Sequence, residues 1–275
     1  MPELPEVQTI VTTLALRVTD ASIINIDIVR PDYVHPAGVD MAGHLVGRNI
    51  RAVHRRGKRI IFTLDNSEHF LVQLGMTGRL TIEAPGSVRL LHTHVVLTLR
   101  RANNTSIELH LRDPRRFGRL VWLGHEAGDV GLGLEPLTMT PAQLFALLSR
   151  SRRPIKSFLL DQTEVAGLGN IYADEALFKA GIHPLTPAKL IPKAVAANLC
   201  RAIKQVLKSA ILHRGSTLRD YVDADGGKGG FQLLHKVYNR AAQPCRKCGE
   251  SIQRLVLSGR SACFCPKCQK APNSR

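Results

Sequence analysis

The chain begins Met-Pro-Glu-Leu-Pro-Glu-Val, which places a potential nucleophile beside a potential proton donor. Removal of Met1, which is usual before a small residue, leaves Pro2 with a free secondary amine. An α-amino group titrates near pKa ~8, so part of it is neutral and nucleophilic at cellular pH. Such an amine can attack an aldehyde-like carbon and form an iminium, as a lysine does in a Schiff base. The Glu3 carboxyl could donate or shuttle a proton next to it.

The same stretch is also typical of an ordinary helix start. Pro5 suits a first helical turn, and Glu3 and Glu6 suit a helix N-terminus. The local sequence taken alone favours this structural interpretation, so the rest of the chain must decide. Apolar residues then recur at i, i+3, i+4 and i+7, which predicts a helix that anchors the N-terminus against a core. These residues are Val7, Ile10, Val11 and Leu14.

Four cysteines near the C-terminus have the spacing of a metal site. Cys245-x2-Cys248 and Cys265-x2-Cys268 are separated by sixteen residues, which predicts a four-thiolate zinc ribbon with a hairpin between the pairs. Four thiolates leave no open coordination position, so one zinc ion would be structural. A redox dithiol explains two matched pairs less well. Cys263 lies outside the CxxC spacing and is predicted to be a bystander.

Composition predicts a nucleic-acid partner. The chain has 275 residues, with 38 Lys and Arg against 22 Asp and Glu, a net charge of +16. This excess favours a polyanion, first nucleic acid and second an anionic membrane surface. No apolar run approaches the ~20 residues of a membrane span, and no signal peptide is recognisable. We therefore expect a cytosolic protein with reduced or metal-bound cysteines.

Residues 1–123 predict a β-rich domain with one early helix, and three of its turns hold candidate functional side chains. Lys58 follows a glycine in Arg-Arg-Gly-Lys, where it is either a solvated hairpin charge or a phosphate contact. Met76 lies at a glycine-flanked tip, where core filling explains it poorly, and methionine is one of the apolar residues that enter DNA as wedges. Arg115 and Phe117 lie in Asp-Pro-Arg-Arg-Phe-Gly, although Phe117 could equally fold back into the core. The predicted strands cover about 24–28, 49–55, 59–64, 69–74, 79–83, 92–100, 106–112 and 116–123.

The pattern becomes helical after Pro136. Helices are predicted at about 141–150, 155–162, 171–180 and 192–213. The turn Gly167-Leu168-Gly169-Asn170 would expose backbone N–H groups at a helix N-terminus, which suits a phosphate as well as it suits an ordinary turn. Residues 223–230 contain four glycines and few side chains that could pack, which predicts a mobile loop, either a lid or a linker.

Six segments carry a resemblance to a known family: MPELPEV (1–7), RRGK (55–58), GMTG (75–78), DPRRFG (113–118), GLGNIYADEALF (167–178) and the cysteine ribbon with Arg260. Together they resemble bacterial formamidopyrimidine-DNA glycosylases, which share a superfamily with endonuclease VIII. They occur in the family's order and cover almost the whole chain. Leu4, GMTG and DPRRFG favour the formamidopyrimidine branch.

The resemblance implies an α+β multidomain fold. Its parts are an N-terminal β-sandwich flanked by helices (1–135), a helix-two-turn-helix domain (136–240) and a four-cysteine zinc finger (241–275). It implies a bacterial enzyme of base excision repair that acts on damaged double-stranded DNA. We expect a monomer, by default, in the bacterial cytoplasm, with no nucleotide cofactor and no membrane. The expected lesions are 8-oxoguanine and formamidopyrimidines, and the strand would then be nicked by β,δ-elimination.

The resemblance also implies a role for each candidate side chain. Pro2 would attack C1′ of the damaged nucleotide, and Glu3 would protonate the sugar oxygen. Lys58 would donate a proton during β-elimination or contact a phosphate, and Arg260 would grip phosphates and assist δ-elimination. The gap left by the flipped base would be filled by Met76, Arg115 and Phe117, the backbone phosphates would be bound by His92 and Asn170, and the base would be capped by residues 223–231.

Two other functions explain part of the sequence. A zinc-ribbon protein that recognises damaged DNA without chemistry would fit the charge, the ribbon and the wedges, but it leaves Pro2 and Glu3 on an anchored helix together with Lys58 unexplained. An endonuclease VIII-like enzyme would act on oxidised pyrimidines and would cleave thymine glycol faster than 8-oxoguanine opposite cytosine.

Overall fold

A computed structural model describes residues 2–126, 128–219 and 221–271, which form two compact units. The first unit comprises Met1–Val130 and His213–Gly230, and the second comprises Gly131–Leu212 and Phe231–Arg275. Residues 213–230 thus pack with the N-terminal part of the chain, a return that the sequence pattern does not reveal. The three-domain division stays a prediction, and Met1, whose removal the sequence predicts, lies outside the described residues.

The first unit contains two sheets. One has the strand order β1-β7-β8-β6 and is antiparallel, and the other has the order β2-β9-β5-β4-β3, in which only β2 and β9 are parallel. The strands are β1 Ser22–Ile28, β2 Val34–His35, β3 Ile50–Arg56, β4 Arg59–Leu64, β5 His69–Gln73, β6 Arg79–Glu83, β7 Thr93–Arg100, β8 Ser106–Arg112 and β9 Arg119–Gly124.

One hydrophobic core joins both sheets, which confirms the predicted β-sandwich. Phe62 and Phe70 stack in its centre with ring centroids 4.5 Å apart. Helix α1, Leu4–Val18, buries its predicted apolar face in the same core. Each such side chain contributes about 1.5–3 kcal/mol when fully buried. The start of the chain is therefore fixed against the sandwich, as the periodicity of residues 7–14 predicts.

Two short elements of the first unit were not predicted from the sequence. Strand β2 has only two residues, too few to show an alternating pattern. Helix α2, Met41–Leu45, has five residues and begins at Asp40, whose carboxylate accepts the Gly43 amide at 2.9 Å. The predicted longer strands are all confirmed, with their ends shifted by up to three residues.

The second unit is helical and ends in a two-stranded hairpin. Helix α6 packs against α3 and α5, with Leu199 and Ile203 fully buried. All four predicted helices are present, and within the described ranges none of the protein's helices has the length and apolar character to cross a membrane. The elements are α3 Pro141–Leu148, α4 Ile155–Leu160, α5 Asn170–Ala180, α6 Lys193–Leu212, β10 Gln253–Leu257 and β11 Arg260–Phe264.

Candidate functional site

The N-terminal pair Pro2-Glu3 is buried at the start of α1. Glu3 is 2% exposed, its amide donates to Glu6 Oε2 at 2.8 Å, and its carbonyl accepts the first turn of the helix from Val7 N at 3.1 Å. Burying two carboxyl side chains beside an amine is costly unless they are hydrogen-bonded. The helix start is therefore built around two buried acidic side chains, Glu3 and Glu6.

Glu6 also reaches the segment that returns from the end of α6. Its Oε1 accepts the Ser216 amide at 2.7 Å, and its carbonyl accepts the Tyr221 hydroxyl at 3.3 Å. Gly215, at φ +78°, has no space for a side chain, because a Cβ there would lie 2.6 Å from Glu6 Oε1. Sequence reasoning assigned Glu6 only to the helix N-terminus and missed this second contact, which spans 210 residues of sequence.

The glycine-rich loop at 223–230 is organised by a buried carboxylate. Asp223 Oδ1 accepts the amides of Gly227 at 2.8 Å and Asp225 at 3.0 Å, and Oδ2 pairs with Arg214. Asp223 and Ala224 are both fully buried, although the sequence predicted few packing side chains here. The start of the loop is therefore fixed in the core of the first unit by Asp223 and Ala224.

Lys58 lies in the turn between β3 and β4, and its side chain is half-buried. Gly57 adopts φ +57°, the left-handed conformation that this tight turn needs. Arg55 connects the turn to α1: its Nε donates to Gln8 Oε1 at 3.0 Å, and one terminal nitrogen donates to the Gly57 carbonyl at 2.9 Å. Helix α1, which follows Pro2 and Glu3, and the turn that carries Lys58 are thus held by one side chain.

The two turns that carry the predicted wedge leave their apolar side chains in solvent. Met76 is 40% exposed, and Phe117 is 52% exposed, so Phe117 does not fold back into the core. The Arg115 guanidinium stacks on the Phe117 ring, 4.7 Å from its centroid. His92 is exposed at the start of β7, and its carbonyl accepts the Asp113 amide at 3.0 Å.

Asn170 is the first residue of α5 in the second unit. The turn before it is held by Gln162, whose Oε1 accepts the Gly167 amide and whose Nε2 donates to the Leu168 carbonyl, both at 2.9 Å. Gln162 is a residue that sequence reasoning missed, since nothing in the local pattern links it to the turn. Within the described residues, the buried Asn170 Oδ1 has no hydrogen-bond partner. This oxygen can accept a hydrogen bond from a ligand, while the backbone N–H groups at the start of α5 are the kind of donors that bind anions.

Arg260 is exposed at the start of β11, on the hairpin between the two cysteine pairs. A buried lysine supports this hairpin: Lys156 Nζ donates to Asp174 Oδ1 and to the Ser261 carbonyl, both at 2.6 Å. Asp174 Oδ2 in turn accepts the Cys263 amide at 3.0 Å. Burial raises the pKa of Asp174, and Lys156 opposes that shift. The ion pair was not foreseen from the sequence.

The four predicted cysteine ligands converge. Their sulfur atoms all lie within 4.8 Å of one another, and Cys248 Sγ is 3.5 Å from the sulfurs of Cys265 and Cys268. Tetrahedral zinc with Zn–S bonds of about 2.3 Å requires sulfur spacings of this order. Backbone amides of Lys247 and Cys268 point at two of the sulfurs, each at 3.4 Å, which favours thiolates.

This donor set fits one structural zinc ion, held by Cys245, Cys248, Cys265 and Cys268. Bound zinc would tie the two turns of the ribbon together and close the hairpin. Cys263 lies outside the four-sulfur group, as predicted. Its thiol is buried, and burial raises its pKa, so it stays protonated.

Three protein-family models match successive parts of this chain, which folds as a β-sandwich, a helical unit and a cysteine ribbon. Residues 1–120 match the formamidopyrimidine-DNA glycosylase N-terminal domain, and residues 132–222 match its H2TH domain. Residues 242–271 match a zinc finger found in FPG and IleRS.

Similar proteins span the full chain. The formamidopyrimidine-DNA glycosylase of Gluconobacter oxydans is 43% identical, covering 98% of this chain and 100% of the relative. A crystal structure of the MutM (FPG) protein from Thermus thermophilus superposes with a TM-score of 0.86 at 38% identity, covering 98% of this chain and 100% of that chain. A Lactococcus lactis FPG mutant in complex with Fapy-dG containing DNA gives a TM-score of 0.90 at 31% identity, with the same coverage. The chain belongs to the formamidopyrimidine-DNA glycosylase family.

Proposed function

We propose that this protein is a bifunctional DNA glycosylase and abasic-site lyase of base excision repair. It would remove oxidised purines, 8-oxoguanine and formamidopyrimidines, from double-stranded DNA and then nick the strand by β,δ-elimination. The observation that carries the proposal is the buried Pro2-Glu3 pair at a helix start locked by Glu6. A DNA-binding module without chemistry would leave the pairing of a buried Pro2 with a buried Glu3 unexplained.

The first chemical step forms a bond between the Pro2 nitrogen and C1′ of the damaged nucleotide while the glycosidic bond breaks. The base leaves with the glycosidic electron pair and takes up a proton, and Glu3 protonates the sugar ring oxygen so that the ring opens. The product is an iminium between Pro2 and C1′. Preorganised groups that do not need to move lower such a barrier most, and the short bond from the Glu3 amide to Glu6 supports that role.

Strand scission follows from the same intermediate. The iminium makes the C2′ proton acidic, so its removal expels the 3′-phosphate, and a second elimination expels the 5′-phosphate. We assign Lys58 to proton transfer or phosphate contact in β-elimination, and Arg260 to the flanking phosphates and the δ-elimination. The role of Lys58 is supported by the contact of its turn with α1 through Arg55. The role of Arg260 is supported by the buried Lys156–Asp174 pair, which holds its hairpin in place.

The substrate is inferred from charge, exposed side chains and relatives. The net charge of +16 supplies affinity for phosphates that weakens with salt. Met76, Arg115 and Phe117 would fill the space left by the extruded base, whose extrusion costs a few kcal/mol. His92 and Asn170 would bind backbone phosphates, and residues 223–231 would cap the base. Similar Lactococcus lactis proteins were crystallised with Fapy-dG containing DNA and with abasic site containing DNA.

The remaining expectations belong to the same proposal. The protein would act as a monomer, without a nucleotide cofactor, in the bacterial cytoplasm on nucleoid DNA. Its functional parts would be a catalytic sandwich over residues 1–135, a helix-two-turn-helix region over 136–240 and a zinc finger over 241–275. The first and last of these ranges include residues 1, 127 and 272–275, which lie outside the described residues.

Borohydride trapping on a duplex with 8-oxoguanine opposite cytosine tests the proposal. The untagged protein should form a covalent adduct, and mass spectrometry should map it to the peptide that begins at Pro2. A matched protein that keeps a tag before Pro2 should bind the duplex but give no adduct and no nick. Nicking by the tagged protein, or an adduct on a lysine, would refute Pro2 as the nucleophile. Faster cleavage of thymine glycol would refute the lesion assignment.

A further inference from the structure

Asp113, the first residue of the turn between β8 and β9, is a fully buried carboxylate. Its Oδ1 accepts the Thr77 hydroxyl at 2.6 Å and the Arg115 amide at 3.3 Å. Its Oδ2 accepts the Gly118 amide at 2.8 Å and the Tyr33 hydroxyl at 3.3 Å. One carboxylate thus joins the Gly-Met-Thr-Gly turn to the Asp-Pro-Arg-Arg-Phe-Gly turn. A buried charge of this kind is tolerated only because its oxygens are hydrogen-bonded.

The backbone of Asp113 adds a third segment. Its amide donates to the His92 carbonyl at 3.0 Å, and its own carbonyl lies 2.8 Å from His94 Nε2 on β7. Arg112 Nε donates to the Leu91 carbonyl at 2.8 Å, which reinforces the same junction. Three segments therefore meet at Asp113: the start of β7 with His92, the turn with Met76 and the turn with Phe117.

Two glycines let these turns approach at backbone distance. Gly75 adopts φ +59°, and a Cβ there would lie 2.5 Å from the Phe117 carbonyl carbon. A Cβ on Gly118 would collide with the Tyr33 hydroxyl and the Gln73 carbonyl. The turns thus form one packed body, whose exposed tips are Met76 and Phe117.

We propose that Asp113 is a positioning residue that couples Met76, Arg115 and Phe117, the wedge residues, into one rigid wedge. Base extrusion would then depend on Asp113 more strongly than strand nicking does. This inference rests on the proposed function. Side chains that fill a gap in the base stack recover little of the extrusion cost if they must first be ordered, because ordering each side chain costs free energy. A wedge that is rigid before DNA binds avoids that cost.

The chemistry of Asp113 explains why an amide cannot replace the carboxylate. Both carboxylate oxygens accept backbone N–H groups, Arg115 N on Oδ1 and Gly118 N on Oδ2. In an Asp113→Asn protein the side-chain NH2 group faces one of these N–H donors in either orientation, so one bond is lost and two donors oppose each other. Thr77→Val disturbs the structure less than Asp113→Asn, because it keeps the side-chain shape and removes only the hydroxyl that links the Gly-Met-Thr-Gly turn to Asp113.

The test compares two substrates under single-turnover conditions, a duplex with 8-oxoguanine opposite cytosine and a duplex with a preformed abasic site. Thr77→Val should slow base excision about ten-fold, the effect of losing one hydrogen bond to a charged acceptor, while abasic-site nicking changes little. Thr77→Ser keeps the hydroxyl and should restore excision. The control is Thr81→Val, which removes a similar hydroxyl–carboxylate bond, 2.7 Å to Glu83, on β6 and should leave both rates unchanged.

Asp113→Asn should slow excision more than Thr77→Val does, again with a smaller effect on the abasic duplex. Equal loss on both substrates, or no loss for Thr77→Val, would overturn the inference. Fluorescence of 2-aminopurine at the target position reports base extrusion without chemistry, and Thr77→Val should lower it on binding. If the wild-type protein cleaves neither duplex, the proposed function fails, and the fluorescence comparison still decides whether Asp113 and Thr77 support extrusion.

Discussion

The two units position their functional side chains by different means. In the first unit, buried carboxylates accept backbone amides: Glu6 at the helix start, Asp113 between the wedge turns and Asp223 at the base of the glycine-rich loop. In the second unit, the Arg260 hairpin is held by a buried ion pair and by four zinc-binding cysteines. The first arrangement needs only the chain itself, whereas the second depends on a metal ion. This difference predicts which substitutions will disrupt each arrangement.

Loss of zinc should have the largest effect and should be confined to the second unit. Structural zinc contributes about 10 kcal/mol or more of apparent binding free energy in zinc-finger peptides. Cys248→Ser should therefore abolish zinc content and strand nicking, while near-ultraviolet circular dichroism still shows a folded sandwich. The matched control is Cys263→Ser, outside the sulfur cluster, which should retain one zinc ion by elemental analysis. Zinc loss in that control would make Cys263 a ligand.

Lys156→Met should have the next largest effect. It leaves Asp174 buried without its cation, and breaking a buried pair in this way typically costs about 3–5 kcal/mol. Chemical denaturation should show a destabilised second unit. Lys208→Met, on the exposed face of α6, serves as the control and should stay near wild type. Changing Asp174 to leucine as well should recover part of the loss. Equal stability of the two lysine variants would contradict the structural role of the pair.

Acid should destabilise the second unit through His235, which is 3% exposed. Burial, aided by Arg246, lowers the pKa of His235 to about 4. Below its ordinary pKa of about 6.5, the unfolded chain binds a proton that the folded unit does not, so the free energy of unfolding falls as pH drops from about 6.5 to about 4, by about 3 kcal/mol at most. His235→Phe should flatten that slope in denaturation series at several pH values. An unchanged slope would mean that another group titrates.

Glu6→Gln tests the arrangement in the first unit. Of the four changes, it should have the smallest effect on stability. The Glu6 oxygens accept the amides of Glu3 and Ser216, so a glutamine NH2 group opposes one of them at a cost of about 1–3 kcal/mol. The yield of the borohydride-trapped adduct should fall by more than this loss of folding stability explains, because the helix start that carries Pro2 shifts. Glu83→Gln, on β6, is the control. Full trapping by Glu6→Gln would show that Glu6 only caps the helix.

Much of the fold follows from local patterns. The apolar spacing from Val7 to Leu14 predicts α1, and alternating residues predict eight of the nine strands in the first unit. The CxxC spacing predicts the zinc site because a short turn places two sulfurs on one side. These features depend on neighbours within a few residues, and that information is present in any short window of sequence.

The contacts that support the site could not be predicted in the same way. Ser216 meets Glu6 across 210 residues, and Lys156 meets Ser261 across 105. No periodicity connects such partners, and a single buried aspartate such as Asp113 looks like an ordinary turn residue in the sequence. The one available signal was Glu6 itself, an acidic residue directly before Val7, the first residue of the predicted apolar face.

The return of residues 213–230 to the first unit has a consequence for protein synthesis. Tyr221 and Ala224 belong to the core of the sandwich, and the Glu6 bond closes a span of 210 residues. A ribosome releases residues 1–130 long before these partners exist, so the nascent sandwich lacks Tyr221 and Ala224 in its core, and Glu6 lacks its bond to Ser216, until α6 has been made. Contacts of such high sequence separation form late in folding. The helix start that carries Pro2 and Glu3 would therefore gain its last packing partners only near the end of translation.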